Sequence, residues 1–130
     1  MIFFTDECFS VRLAHILEIF DRENTIRALE DDFDKGTQDE TWLPKIAKWS
    51  EKPVVISGDG RILKQADQRA ILRECDLSFV YVHPSWQRVP WDDYVIKFLK
   101  AWRDLVQSTG RVKNPSLFEV SINSKVKLLH

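Results

Sequence analysis

The segment that decides the fold is residues 52–62, Lys-Pro-Val-Val-Ile-Ser-Gly-Asp-Gly-Arg-Ile. Its apolar run, 54–56, is β-branched throughout, is too short for a helix and lies between a proline and a glycine. Such a run predicts a strand that is buried on both faces, as in a parallel sheet. The two glycines of 57–60 allow the chain to turn where the strand stops. Asp59 is therefore expected just past the carboxyl end of a central strand, at the edge of an open α/β sheet where ligands bind.

Strand and helix patterns alternate on both sides of this segment. Further apolar runs predict strands at 1–5, 25–29 and 77–82. Apolar residues at helical spacing predict helices at 9–20, 37–49, 65–75 and 91–108. The connections are expected to include an acidic loop at 30–36 and a basic turn at 61–64, and the chain to end in a hairpin of 117–122 with 125–129. This order predicts one α/β domain with a mostly parallel central sheet and helices on both faces.

The composition is that of an ordinary globular chain. Of the 130 residues, 44% are apolar and 30% are charged, and no apolar run has the length of about 20 residues that a membrane span needs. The two cysteines lack metal-site spacing, so reduced thiols in a cytoplasmic protein are expected. Residues 1–40 carry 11 acids and 4 bases, and residues 41–130 carry 9 acids and 15 bases. An acidic part of the chain could bind cations and a basic part could bind a polyanion beside them. Two solvent-exposed faces of opposite charge would explain the same asymmetry.

Three acidic positions are expected at one edge of the predicted sheet. Asp6 follows the first strand, Asp39 opens the helix that leads into the central strand, and Asp59 follows that strand. Carboxylates are preferred ligands of hard divalent cations such as Mg²⁺, so their convergence would form a metal site. Each acid also has a structural explanation, since Asp6 and Asp39 suit helix caps and Asp59 suits a turn.

The motifs around these acids resemble those of the PIN-like domains. They are an apolar strand followed by Asp-Glu-x-x-Ser at 6–10, Asp-Glu-x-Trp at 39–42, and Val-Val-Ile-Ser-Gly-Asp-Gly-Arg-Ile at 54–62. The nearest group is that of the VapC-type toxins of toxin–antitoxin pairs, which the C-terminal hairpin also suits. The resemblance implies a three-layer α/β/α PIN-like fold and an endoribonuclease that depends on Mg²⁺ or Mn²⁺. It also implies an RNA substrate, a cognate antitoxin and a homodimer.

The resemblance assigns roles to particular residues. Asp6, Asp39 and Asp59 match the family's catalytic, metal-binding acids. Typical members add an acid or Asn near the start of the following helix, whereas this sequence offers Asp67 one residue away from the expected place, with Glu7 or Glu40 as alternatives. Basic residues near Asp59 are expected to hold the RNA backbone: Arg61, Lys64 and Arg69.

Two other functions stay open on the sequence alone. A phospho-receiver-like signalling domain also gathers acids at strand ends and would use the adjacent pair Asp6 and Glu7, but 82–84 lacks the lysine that it would want. A catalytically silent PIN-like interaction module would keep the fold without binding metal. Among the tryptophans, Trp42, Trp49 and Trp102 are expected to lie in the core. Trp86 and Trp91 are the candidates for an exposed partner surface.

Overall fold

A six-stranded sheet forms the centre of the computed structural model, which describes residues 1–61 and 64–130 in full and 62–63 by their backbone. The strands are β1 (Ile2–Thr5), β2 (Thr25–Ala28), β3 (Val54–Ser57), β4 (Phe79–Val82), β5 (Leu117–Val120) and β6 (Val126–Leu128). Their order is β2-β1-β3-β4-β5-β6. β1 to β5 run parallel, and β6 pairs with β5 in the antiparallel direction. The predicted parallel sheet and C-terminal hairpin are confirmed.

The helices fill the connections between the strands. They are α1 (Val11–Phe20), α2 (Leu29–Asp32), α3 (Asp39–Ala47), α4 (Arg61–Lys64), α5 (Ala66–Cys75) and α6 (Trp91–Arg111), and Pro84–Arg88 forms a 3-10 turn. The four long predicted helices are confirmed, whereas the predicted acidic loop and basic turn each contain one turn of α-helix, α2 and α4. No helix of the described residues is long and apolar enough to cross a membrane.

The inner strands are buried on both faces because successive side chains point to opposite sides of a sheet. In β1, Phe3 packs in the core that includes α1 and α6, whereas Phe4 packs in the core that includes α3 and α5. In β3, Val54 lies on the side of Phe3 and Val55 on the side of Phe4. This two-sided burial produces the continuous apolar runs of the sequence, and it confirms the three-layer α/β/α arrangement.

The loop between β4 and α6 differs from its prediction as an exposed surface. Trp86 is fully buried, its indole N–H donates to the Val120 carbonyl at 3.1 Å, and its ring meets that of Phe98 with centroids 5.5 Å apart. Trp91 is half-buried, with the Arg12 guanidinium 4.4 Å from its ring centroid. The predicted partner surface is therefore wrong for Trp86, because the indole gains more by filling the core and satisfying its N–H there.

The inner face of helix α5 agrees with the sequence pattern only in part. The pattern predicts four residues on the inner side: Ala66, Ala70, Ile71 and Cys75. Ile71 and Cys75 pack against the core, whereas Ala66 and Ala70 are exposed, Leu72 is buried and Gln68 is half-buried. The larger apolar surface of Leu72 gains more from burial than an alanine does, so it sets the rotation of the helix. This rotation decides which polar residue of α5 reaches the candidate site.

Candidate metal site

The strand order of the sheet reverses between β1 and β3, so these two adjacent strands form its switch point. β2 is added on one side of β1, and β4 is added on the opposite side of β3. The connections that leave these adjacent strands therefore diverge and open a crevice at the carboxyl edge, the usual place for a ligand in a sheet of this order. Asp6 directly follows β1, and Asp59 lies two residues beyond β3.

A cavity in this crevice brings together the three carboxylates that the sequence predicts there. Asp6 and Asp59 reach it from the two strand ends, and Asp39 reaches it as the first residue of α3. The other lining residues are Trp42, Leu43, Ser57, Gln68, Leu72 and Phe79. Acids that are far apart in the sequence thus meet at one place, and their catalytic and metal-binding roles stay predictions.

Asp6 is the most deeply buried of the three acids. Burial raises its pKa to about 7, and the nearby charges of Asp39 and Asp59 add to the rise. A hydrogen bond with the Ser57 side chain and one from the Cys8 backbone N–H, at 2.9 Å, oppose the rise because they favour the carboxylate. The Ser57 hydroxyl oxygen also accepts the Asp59 backbone N–H at 2.9 Å, so one serine holds both strand ends together.

Asp59 has the opposite electrostatic environment, because the Arg61 guanidinium is bonded to it. Arg61 Nε lies 2.8 Å from Asp59 Oδ2 and 3.1 Å from Oδ1, and a terminal guanidinium nitrogen lies 2.6 Å from Oδ2. The Arg61 backbone N–H also donates to Oδ1 at 3.0 Å. These bonds hold the pKa of Asp59 below its usual range.

Asp39 combines features of both electrostatic environments, burial as at Asp6 and a nearby guanidinium as at Asp59. Burial raises its pKa, repulsion from Asp59 and Glu40 acts in the same direction, and the charge of Arg61 opposes the rise. The same terminal nitrogen that bonds Asp59 lies 3.5 Å from Asp39 Oδ2. Arg61 therefore forms ion pairs with two of the three carboxylates.

The donor set fits a hard divalent cation in its chemistry. It combines three carboxylates with the side-chain oxygens of Ser57 and Gln68, and oxygen ligands are the ones that Mg²⁺ and Mn²⁺ prefer. Burial is the main cause of the raised pKa values of Asp6 and Asp39, and a cation in the cavity would offset the repulsion between acids that adds to the rise. In the described part of the chain, however, no three Asp, Glu, His or Cys side chains stand close enough as placed to hold one ion.

The alternative fourth ligands do not line the cavity. Glu7 accepts a short hydrogen bond from the Gly36 backbone N–H, Glu40 is exposed, and Asp67 is exposed in the first turn of α5. The polar side chain of α5 that lines the cavity is Gln68, the next residue after Asp67. Sequence reasoning missed Gln68 because a shift of one residue turns a helical side chain by about 100°.

The predicted RNA-binding residues lie in three different settings. Arg61 is engaged with the carboxylates, and Lys64 is exposed at the end of α4. Arg69 is half-buried and lines a cavity of about 130 Å³ between α5 and the start of β5. Arg61 is thus in contact with two of the acids, Asp39 and Asp59.

The sheet order and the acids at its switch point define an α/β protein with a carboxylate site. The family model described as PIN like domain matches residues 1–83. The match spans β1 to β4 and includes Asp6, Asp39 and Asp59. The chain belongs to the PIN like domain family, as its motifs predicted. No curated protein and no solved structure matches it.

Proposed function

We propose that this protein is a metal-dependent endoribonuclease that hydrolyses RNA phosphodiesters. The observation that supports it is the convergence of Asp6, Asp39 and Asp59 at the switch point of the sheet, in a member of the PIN like domain family. Carboxylates in a crevice of this kind are suited to hold Mg²⁺ or Mn²⁺ against a phosphate.

The residues of the cavity have distinct roles in this proposal. Asp6, Asp39 and Asp59 would hold the ion, and Gln68 would contribute its amide oxygen. When bound, such an ion lowers the pKa of water and stabilises negative charge on a phosphate. Ser57 orients the site, because its hydroxyl contacts the Asp6 carboxylate and the Asp59 backbone N–H. Arg61 and Lys64 would bind RNA phosphates beside the acids.

We extend the proposal to a biological role as the toxin of a toxin–antitoxin pair. Its support is the likeness of the motifs at 6–10, 39–42 and 54–62 to VapC-type toxins, together with the C-terminal hairpin of β5 and β6. The role implies an antitoxin that restrains the nuclease, and a homodimer. Induced expression of the wild type should arrest bacterial growth, whereas Asp59→Asn should not.

The biochemical test is cleavage of a mixture of tRNA and mRNA by the purified protein with Mg²⁺ or Mn²⁺. Asp59→Asn keeps the size of the side chain and removes its charge, so cleavage is expected to fall by at least about 100-fold. Chelator should abolish cleavage by the wild type. Asp104→Asn is the matched control, because Asp104 is an exposed aspartate of α6. Equal cleavage by the wild type and Asp59→Asn would contradict the proposal.

A silent interaction module is the second candidate, and one observation favours it. Arg61 supplies a positive charge beside Asp39 and Asp59, so these carboxylates are paired with a cation even without a metal ion. A folded wild type that neither binds Mn²⁺ nor cleaves RNA would favour this candidate. The phospho-receiver alternative has less support, because the family match is to PIN like domains and β4 is followed by His83 rather than by lysine.

A further inference from the structure

The Arg61 guanidinium lies where the proposed site requires a cation. It forms ion pairs with Asp59 at 2.6 Å and with Asp39 at 3.5 Å, two carboxylates that come from different elements of the fold. Asp59 accepts from the backbone N–H, Nε and a terminal nitrogen of Arg61. A carboxylate has about four lone-pair sites, so these bonds leave Asp59 little capacity for a further partner.

A divalent cation and Arg61 cannot both bind the carboxylates in this arrangement. Mg²⁺ binds oxygen atoms at about 2 Å, and it needs the same lone pairs that now accept the guanidinium N–H groups. Metal binding therefore requires at least the Asp59 bonds to Arg61 to break or lengthen. This conflict agrees with the finding that no three acids of the described chain stand close enough, as placed, to hold an ion.

Arg61 is placed so that it can leave its carboxylates. Its side chain is 55% exposed, and it is the first residue of the single-turn helix α4. Because the guanidinium is in contact with solvent, breaking these ion pairs does not leave a buried cation without a partner. Once released, the guanidinium stays beside the site, where its planar array of donors suits a phosphate group.

We infer that Arg61 is an internal competitor of the divalent cation, which neutralises Asp39 and Asp59 in the metal-free protein and is displaced onto the RNA phosphate when the ion binds. The inference rests on the proposed function and assigns Arg61 the role of a positioning residue that couples metal binding to RNA binding. Metal binding releases the Arg61 guanidinium from the carboxylates and makes it available to a phosphate, so metal should strengthen RNA binding. By linkage, RNA should strengthen metal binding by the same factor.

Direct binding of Mn²⁺ to the wild type and two variants, measured by titration calorimetry without RNA, tests the competition. Arg61→Gln should bind Mn²⁺ at least about fivefold more tightly than the wild type, as expected when a competing exposed ion pair of about 1 kcal/mol is removed. Lys45→Gln is the matched control, since Lys45 is an exposed base of α3, the helix that carries Asp39. It should change the affinity by less than about twofold. Equal affinity of Arg61→Gln and wild type, or weaker binding, would overturn the inference.

The coupling is tested with an RNA oligonucleotide that carries 2′-O-methyl groups and so resists cleavage. Mn²⁺ should raise the RNA affinity of the wild type, and this gain should largely disappear in Arg61→Gln. An equal gain in both proteins would overturn the coupling. If none of the three folded proteins binds Mn²⁺, the metal-dependent function fails and the inference fails with it. Equal binding by all three overturns the inference and leaves the proposed function standing.

Discussion

Asp6 and Asp59 follow adjacent strands and line one cavity, yet their pKa values are shifted in opposite directions. Burial dominates at Asp6 and raises its pKa to about 7, whereas the guanidinium of Arg61 dominates at Asp59 and lowers its pKa. The difference shows that the two halves of the site are neutralised in different ways. The Asp59 half has an internal cation, whereas at the Asp6 half burial favours the protonated form of the acid.

The largest expected effect concerns the Asp6 half and the pH dependence of stability without metal. The folded state raises the pKa of Asp6 from 3.8 to about 7, so folding favours the protonated acid. This stabilisation is fully present below the ordinary pKa and is lost as the pH rises through about 7. The loss in the free energy of unfolding amounts to at most about 4 kcal/mol, because one pKa unit corresponds to about 1.4 kcal/mol.

Urea denaturation in the presence of chelator at about pH 4 and about pH 8 measures this loss. Asp6→Asn should be much less sensitive to pH than the wild type and more stable than it at the higher pH, because the amide cannot ionise. The same substitution should impair cleavage, so stability and activity would move in opposite directions. An identical pH dependence of the free energy of unfolding in both proteins would contradict the prediction, because ionisation of the buried Asp6 would then not affect stability.

A smaller effect concerns the backbone contact that holds the two halves together. A Cβ atom at Gly58 would lie 2.8 Å from the Cys8 carbonyl oxygen, closer than side-chain atoms approach a backbone oxygen. Gly58→Ala should therefore push the loops after β1 and β3 apart and destabilise the protein by about 1–3 kcal/mol. It should also weaken Mn²⁺ binding, since Asp6 and Asp59 lie on these two loops.

Gly110→Ala is the control for this substitution. Its Cβ would lie 3.4 Å from the Met1 sulfur, an ordinary contact with a flexible side chain, and the residue lies in α6. Alanine there should leave the stability unchanged or raise it by up to about 1 kcal/mol. Equal stability of Gly58→Ala and Gly110→Ala in chemical denaturation would contradict the close contact between the two loops.

The sequence was sufficient for the sheet and for the convergence of the acids. Strands that are buried on both faces leave continuous apolar runs, as at Val54–Ser57, and the carboxyl ends of parallel strands share one edge. The single helical turns α2 and α4 could not be predicted, because four residues are too few to show a helical period. The burial of Trp86 was also out of reach, since its partner Val120 lies 34 residues away in the chain.

The inner geometry of the site depends on details that the sequence does not specify. Gln68 rather than Asp67 reaches the cavity because the burial of Leu72 fixes the rotation of α5. The direction of Arg61 was not predictable either, because a long flexible side chain next to Asp59 can bind that carboxylate or a phosphate equally well. Both outcomes are set by tertiary packing and by the balance of charge, which a local pattern does not record.

The smallest expected effect separates the importance of Arg61 for stability from its importance for metal binding. Because its side chain is 55% exposed, Arg61→Gln should change the free energy of unfolding without metal by less than about 1 kcal/mol. Added salt should reduce even this difference, since exposed charges are screened. Urea denaturation with chelator at low and high salt measures it. A loss of several kcal/mol would mean that the two ion pairs are structural, and the Asp59 half of the site would then depend on Arg61 for its stability.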